Sequence, residues 1–188
     1  MSAVTDTTPR VHRLTRARYE QMVDAGIFGP EDRIELLDGD LIERAPQKSK
    51  HATTIRLFEQ ELARVFSEGF DVRAQLPLAL GPHSEPEPDL AVVAGSPRDY
   101  RDAHPQSALL VVEIAETTLS YDRGRKLAAY ARAGIADYWV VDLAGGTIEV
   151  CRRPEGDRYL DRDTRRGGES VAPLAAPQAS IRVDDLLP

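Results

Sequence analysis

The run Ala108-Leu109-Leu110-Val111-Val112-Glu113-Ile114-Ala115-Glu116 constrains the fold more than any other stretch of the chain. Apolar residues fill both of its alternating sets, with Leu110, Val112 and Ile114 in one and Leu109, Val111 and Ala115 in the other. The segment therefore reads as a strand covered on both faces, inside a sheet rather than at its edge. Glu113 interrupts that pattern. An ionised carboxylate buried there alone costs on the order of several kcal/mol, so a cation or a metal ion has to meet it.

At 188 residues the chain suits a loose polar tail over residues 1–12 and a single domain over residues 13–188. No apolar run approaches a membrane span, and the first residues lack the apolar core of a signal peptide, so a cytoplasmic protein with no membrane partner is expected. Cys151 is the only cysteine, which excludes an intrachain disulfide and a cysteine-based zinc cluster. The net charge of -7 argues against a uniformly basic surface for nonspecific nucleic-acid binding, although a local basic groove is compatible with it. Of the 24 basic residues only Lys48, Lys50 and Lys126 are lysines. A lysine inside a structured element of such a chain asks why arginine would not serve.

Thr15 is placed to cap a helix over residues 16–25 that stops at Gly26. Asp38-Gly39 between two half-apolar arms, 33–37 and 40–44, predicts a hairpin, with Glu35 on its first arm. Ile55, Phe58, Leu62, Val65 and Phe66 recur at helical spacing and predict an amphipathic helix over 51–67, with His51 on the inward side of its first turn. His51 there either faces a site or caps the core. A strand over 72–80 is expected at an edge or with a bulge because of Pro77, followed by an open loop, a strand opening at Asp89, a long loop over 95–107 and the buried strand. A helix over 122–133 then leads to a strand at 138–141, and the turn 144–146 leads on to a strand at 147–151 and a short third piece at 159–160. The rest is weakly determined, and no internal repeat is present.

If the Asp89 and Glu113 strands pair antiparallel with Val93 opposite Leu109, Asp89 lies directly across from Glu113, with Cβ atoms roughly 4.5–5.5 Å apart. Two carboxylates that close need a cation between them, an arrangement suited to a hard divalent metal such as magnesium. A slip of one residue would separate them onto opposite faces. Lys126, about one turn into the next helix, is within reach of the same place if the strands flanking that helix are parallel. Metal, lysine and water beside a phosphodiester make a hydrolytic site. Each residue also has an ordinary structural role open to it: Asp89 as a strand-entry turn residue, Glu113 as the partner of a buried arginine, Lys126 as a solvated helix residue.

Pro88-Asp89, Val111-Val112-Glu113-Ile114, the run from Lys126 to Gly134 and Asp137-Tyr138-Trp139-Val140-Val141-Asp142 resemble the Uma-two family of "putative restriction endonucleases", in the PD-(D/E)XK nuclease-like superfamily. Ile34-Glu35-Leu36-Leu37-Asp38-Gly39 is similar to that family's opening hairpin, and the resemblance covers about residues 14–153. It implies an α/β (α+β) restriction-endonuclease-like core, a mixed β-sheet flanked by helices, here with a C-terminal β-meander, and often a homodimer. It also implies Asp89 and Glu113 as metal ligands, Lys126 as the catalytic lysine and Glu35 as an additional acidic contributor. The superfamily's usual lysine falls two residues after the glutamate, where this chain has Ala115; the family's lysine sits on the following helix, which matches Lys126.

The leading expectation is a Mg2+- or Mn2+-dependent endonuclease acting on DNA. A noncatalytic module that keeps the nuclease fold to bind nucleic acid or protein is the second reading, and an assembly protein pairing through an exposed meander from Tyr138 to Leu160 is the third. Zinc catalysis, a phosphate loop and a serine nucleophile elbow rank below these, because the four histidines lack ligand spacing and neither motif occurs.

Overall fold

The structure, a computed structural model, describes residues 11–29 and 31–188. Most of the expected tail lies outside the described residues. Six strands form the central sheet in the order β3 (Phe70–Ala74), β4 (Leu90–Ala94), β5 (Leu110–Ala115), β6 (Asp137–Asp142), β7 (Thr147–Glu155), β8 (Arg158–Arg166). Only β5 and β6 run parallel; every other neighbouring pair is antiparallel. The architecture is the expected mixed sheet flanked by helices.

β5 is a central strand, and all six of its residues are buried. Its even-numbered side chains meet α2 (Ser49–Val65), where Ile55, Phe58 and Leu62 pack against Leu110, Val112 and Ile114. On the opposite face Val111 packs with Tyr138, Val140 and residues of α4 (Leu127–Arg132) such as Tyr130. Each such aliphatic burial contributes roughly 1.5–3 kcal/mol, so the strand's position is set by both layers at once. Glu113 shares its parity with Val111 and points toward the α4 side.

β1 (Ile34–Leu37) and β2 (Asp40–Glu43) form the expected hairpin, closed by Asp38 at φ 53° and Gly39 at φ 78°. Positive φ at both turn residues gives the two-residue geometry that Asp-Gly favours. Leu36 then bridges antiparallel to Glu85, which lays the hairpin along the 82–87 loop. α1 (Arg16–Asp24) is capped by Thr15, whose side chain accepts from Arg18 N.

Three elements differ from expectation for identifiable reasons. β3 covers Phe70–Ala74 instead of 72–80, because Gln75 takes φ 54° and turns the chain out of the ladder before Pro77. The last meander strand is nine residues long, not a short piece. Its Arg/Asp-rich sequence hides it: β8 is an edge strand with Tyr159 buried, and its charged residues pair across to β7, as with Arg162 and Glu149. In the meander Tyr138, Val140, Ile148, Val150, Cys151 and Tyr159 are core residues, while most of β8, Leu160 included, is exposed. The crossover helix begins earlier than expected, at α3 (Leu119–Tyr121), and passes through a π-helical turn (Asp122–Lys126) before α4. No helix among the described residues is long and apolar enough to cross a membrane. The C-terminal part forms β9 (Ser170–Val171), β10 (Ile181–Arg182) and α5 (Val183–Leu186).

Candidate active site

The β4–β5 ladder pairs Leu90 with Val112, Ala91 with Val111 and Val92 with Leu110. This is the register that sets Asp89 across from Glu113, and Asp89 reaches the neighbouring strand directly: Ile114 N–H donates to Asp89 Oδ2 at 2.8 Å. Because β5 and β6 are parallel, the helical connection between them starts just past the carboxyl end of β5 and carries Lys126 back over Glu113. Lys126 Nζ donates to Glu113 Oε1 at 2.8 Å and lies 3.5 Å from Glu35 Oε1. The hairpin supplies Glu35, whose Oε2 accepts Glu87 N–H at 3.0 Å. The four residues singled out in the sequence are thus brought together at one buried place, each no more than 5% exposed.

They line a cavity of about 330 Å³, together with His51, Arg44, Asp122 and Tyr121. His51, left between a site and a core role, faces the site: its Nε2 is 3.3 Å from Asp89 Oδ2. Three further groups were not anticipated. Tyr130 OH donates to Glu113 Oε1 at 2.6 Å; Asp122 is held by Thr118 Oγ1 at 2.6 Å; Arg44 Nη1 donates to Glu87 Oε2 at 2.5 Å. Asp122, Lys126 and Tyr130 recur every four residues, a helical-face signal present in the sequence. Arg44 carries no comparable signal, since its place depends on the hairpin docking on the 82–87 loop.

Burial dominates the electrostatics. It raises Glu113 to about 8, against the pull of Lys126 and helped by Asp89, Asp122 and Glu35. Burial raises Asp122 too, with Lys126 and Thr118 opposing. Asp89 goes the other way: burial favours its neutral form, but His51, Lys126 and the Ile114 N–H outweigh that and hold it below its ordinary value. For Lys126 burial favours deprotonation, and the surrounding carboxylates, Glu113 and Glu35 foremost, overturn it and raise its pKa. The lysine therefore stays an ammonium. Opposed shifts on closely spaced carboxyls are a mark of functional sites, although ion-pair networks produce them as well.

A crystal structure described as a putative nuclease belonging to DUF820, from Anabaena variabilis ATCC 29413, superimposes with a TM-score of 0.70 at 16% identity, covering 92% of this chain and 97% of that one. Residues 16–184 match the Uma2 family, described as "putative restriction endonuclease", and the chain belongs to that family. No curated protein matches it.

Proposed function

We propose that this protein is a divalent-metal-dependent endonuclease that hydrolyses phosphodiester bonds in DNA, using Asp89 and Glu113 as metal ligands, Lys126 as the catalytic lysine and Glu35 as a supporting carboxylate. The observation that carries the reading is the pairing of Asp89 with Glu113 across adjacent strands, with one buried ammonium spanning Glu113 and Glu35.

The donor set fits a hard ion such as Mg2+ or Mn2+. Each carboxylate is oriented through one oxygen: Glu113 Oε1 by Lys126 and Tyr130, Asp89 Oδ2 by Ile114 N–H and His51. Among the described residues Glu113 Oε2 and Asp89 Oδ1 accept no hydrogen bond. No group of three or more His, Cys, Asp or Glu side chains is gathered to hold a metal among the described residues. An ion here would take the two carboxylates and complete its shell with water, as Mg2+ commonly does. When bound, it supplies a more acidic water and neutralises charge developing on the phosphoryl group.

The chain's own residues perform the rest. Lys126 has three N–H donors, of which Glu113 takes one and Glu35 lies near a second, so a donor remains for the attacking water or a phosphate oxygen. Glu35 is fixed by the Glu87 amide and sets the direction of that ammonium. Tyr130 and His51 hold the two ligand carboxylates from behind. The test is nicking of supercoiled plasmid with added magnesium or manganese. Metal-dependent nicking that disappears in Lys126→Ala supports the reading; equal, chelator-insensitive traces from both proteins reject it.

One observation favours a second reading, a noncatalytic module that binds nucleic acid or protein. Lys126, His51 and Arg44 already place cationic or donor groups against the carboxylates, so the network is substantially neutralised by protein alone. Salt-dependent DNA binding without metal, unchanged in Asp89→Asn and unaccompanied by cleavage, would identify that module.

A further inference from the structure

We infer that Arg44 is the phosphate-binding residue of this site, its guanidinium held in the cavity by Glu87 so that one edge stays open to a non-bridging oxygen of the scissile phosphodiester. The inference rests on the reading of the site as one that acts on phosphodiesters, and it adds a substrate-contacting residue that the family pattern of acidic residues and lysine does not contain.

Arg44 follows β2, and its amide donates to Arg33 O, so the backbone at the base of the hairpin is fixed. Its side chain is only 14% exposed and lines the same cavity as Asp89, Glu113 and Lys126. Glu87 takes one hydrogen bond, through Nη1. Nη2 lies 3.8 Å from Asp89 Oδ1, too far for a hydrogen bond. Among the described residues, Nη2 and Nε of Arg44 make no hydrogen bond, and Nη1 to Glu87 is the one its guanidinium donates. A guanidinium has five N–H donors in a rigid plane and does not lose its charge. A half-buried one that spends a single donor on an ion pair has unused capacity beside the candidate metal ligands. Planar double donation to phosphate is the geometry for which arginine is suited and lysine is not.

The alternative is that Arg44 only neutralises Glu87 and Asp89. Burial opposes its charge, while Glu35, Glu113, Glu87 and Asp89 all favour it, so a neutralising role accounts for its presence. It does not account for a donor edge left unpaired in a cavity. A purely structural arginine in so acidic a setting would be expected to use Nη2 on Asp89 at hydrogen-bond distance.

The experiment compares dithymidine monophosphate, which has one phosphodiester, with its uncharged methylphosphonate analogue. Both are titrated by NMR into wild type, Arg44→Ala, Arg44→Lys and Glu87→Gln with magnesium present, and DNA nicking is followed separately. Thermal melts identify any variant that has failed to fold, and Arg44→Lys and Glu87→Gln keep the question open if Arg44→Ala is one. Wild type is expected to bind the phosphodiester about tenfold or more tightly than the methylphosphonate. Arg44→Ala should lose most of that discrimination, Arg44→Lys should keep a fraction, and Glu87→Gln should retain it more weakly as the guanidinium loses its support. Discrimination unchanged in folded Arg44→Ala or Arg44→Lys overturns the inference while leaving the nuclease reading standing if wild type nicks. Discrimination lost in these variants without nicking by any protein supports Arg44 as a phosphate ligand and rejects catalysis. Absence of both discrimination and nicking in wild type overturns both.

Discussion

Lys126 Nζ stands 2.8 Å from Glu113 Oε1 and 3.5 Å from Glu35 Oε1, so a single ammonium joins the central strand of the sheet to the hairpin laid over it. Both contacts are buried, which makes the lysine a structural tie as well as a candidate catalytic group. A compact ammonium fits between two carboxylates where a guanidinium needs a wider, planar space. That difference explains a lysine here in a chain whose basic residues are nearly all arginine.

Removing the ammonium should therefore cost stability and activity together. Lys126→Met is expected to destabilise the protein by about 1–3 kcal/mol, read from the urea midpoint, because Glu113 and Glu35 lose the buried donor that joins them. Nicking should fall at least about 100-fold. Lys126→Arg should recover some stability and little activity. A Lys126→Arg protein with wild-type nicking would show that positive charge alone is needed.

Tyr130→Phe isolates the hydrogen bond behind Glu113, since the ring still fills its buried place. The expected loss is about 1–2 kcal/mol, a fall of roughly 2–8 °C in melting temperature. Binding of manganese, followed by calorimetry, should weaken because Glu113 loses a partner that fixes its orientation. Unchanged metal affinity would place Tyr130 in the core rather than in the site.

Stability of the metal-free protein should fall as pH rises through neutrality. Burial raises Glu85 from 4.5 to about 7, with Glu20 adding to it, and raises Glu113 from 4.5 to about 8. Such carboxyls keep a proton in the folded protein that the unfolded chain has already lost. Their contribution is complete below about 4.5 and declines as pH climbs toward 7 for Glu85 and 8 for Glu113. Glu85→Gln should flatten the lower part of that decline and Glu113→Gln the upper part. Melting temperatures that increase steadily from pH 5 to 8 would contradict the assignment.

Gly39→Ala tests how the hairpin delivers Glu35. Gly39 has φ 78°, and an added Cβ would approach Arg13 Cβ to 2.6 Å, so both strain and a clash oppose the change. A loss of about 1–3 kcal/mol is expected. Because the hairpin carries Glu35, nicking should decrease more than the population of folded protein does. Loss of activity in strict proportion to unfolding would separate the hairpin from the chemistry.

Much of this arrangement could be read from residues alone. The double-sided apolar pattern of 109–115 marks a central strand, Asp38-Gly39 marks the hairpin, and the register assumed for the Asp89 and Glu113 strands, which the residues alone do not fix, is the one in the structure. What escaped depends on tertiary contacts. Arg44 enters the cavity only because Leu36 bridges to Glu85, and nothing near Arg44 in sequence encodes that bridge. For β8 the sequence predicts only a short piece at 159–160, because the strand is held by charges paired across the ladder rather than by alternating apolar residues. The π-helical turn before α4 likewise has no local marker, yet it sets Asp122 and Lys126 where they face the carboxylates. Such turns recur at functional sites.

The most direct measurement is a crystal structure of the protein with manganese, located by its anomalous scattering. One ion is expected to touch both Asp89 and Glu113, with a bound water within reach of Lys126, and to be absent in Asp89→Asn. Full manganese occupancy elsewhere with none between these carboxylates, or an ion that touches only one of them and persists in Asp89→Asn, would contradict this expectation.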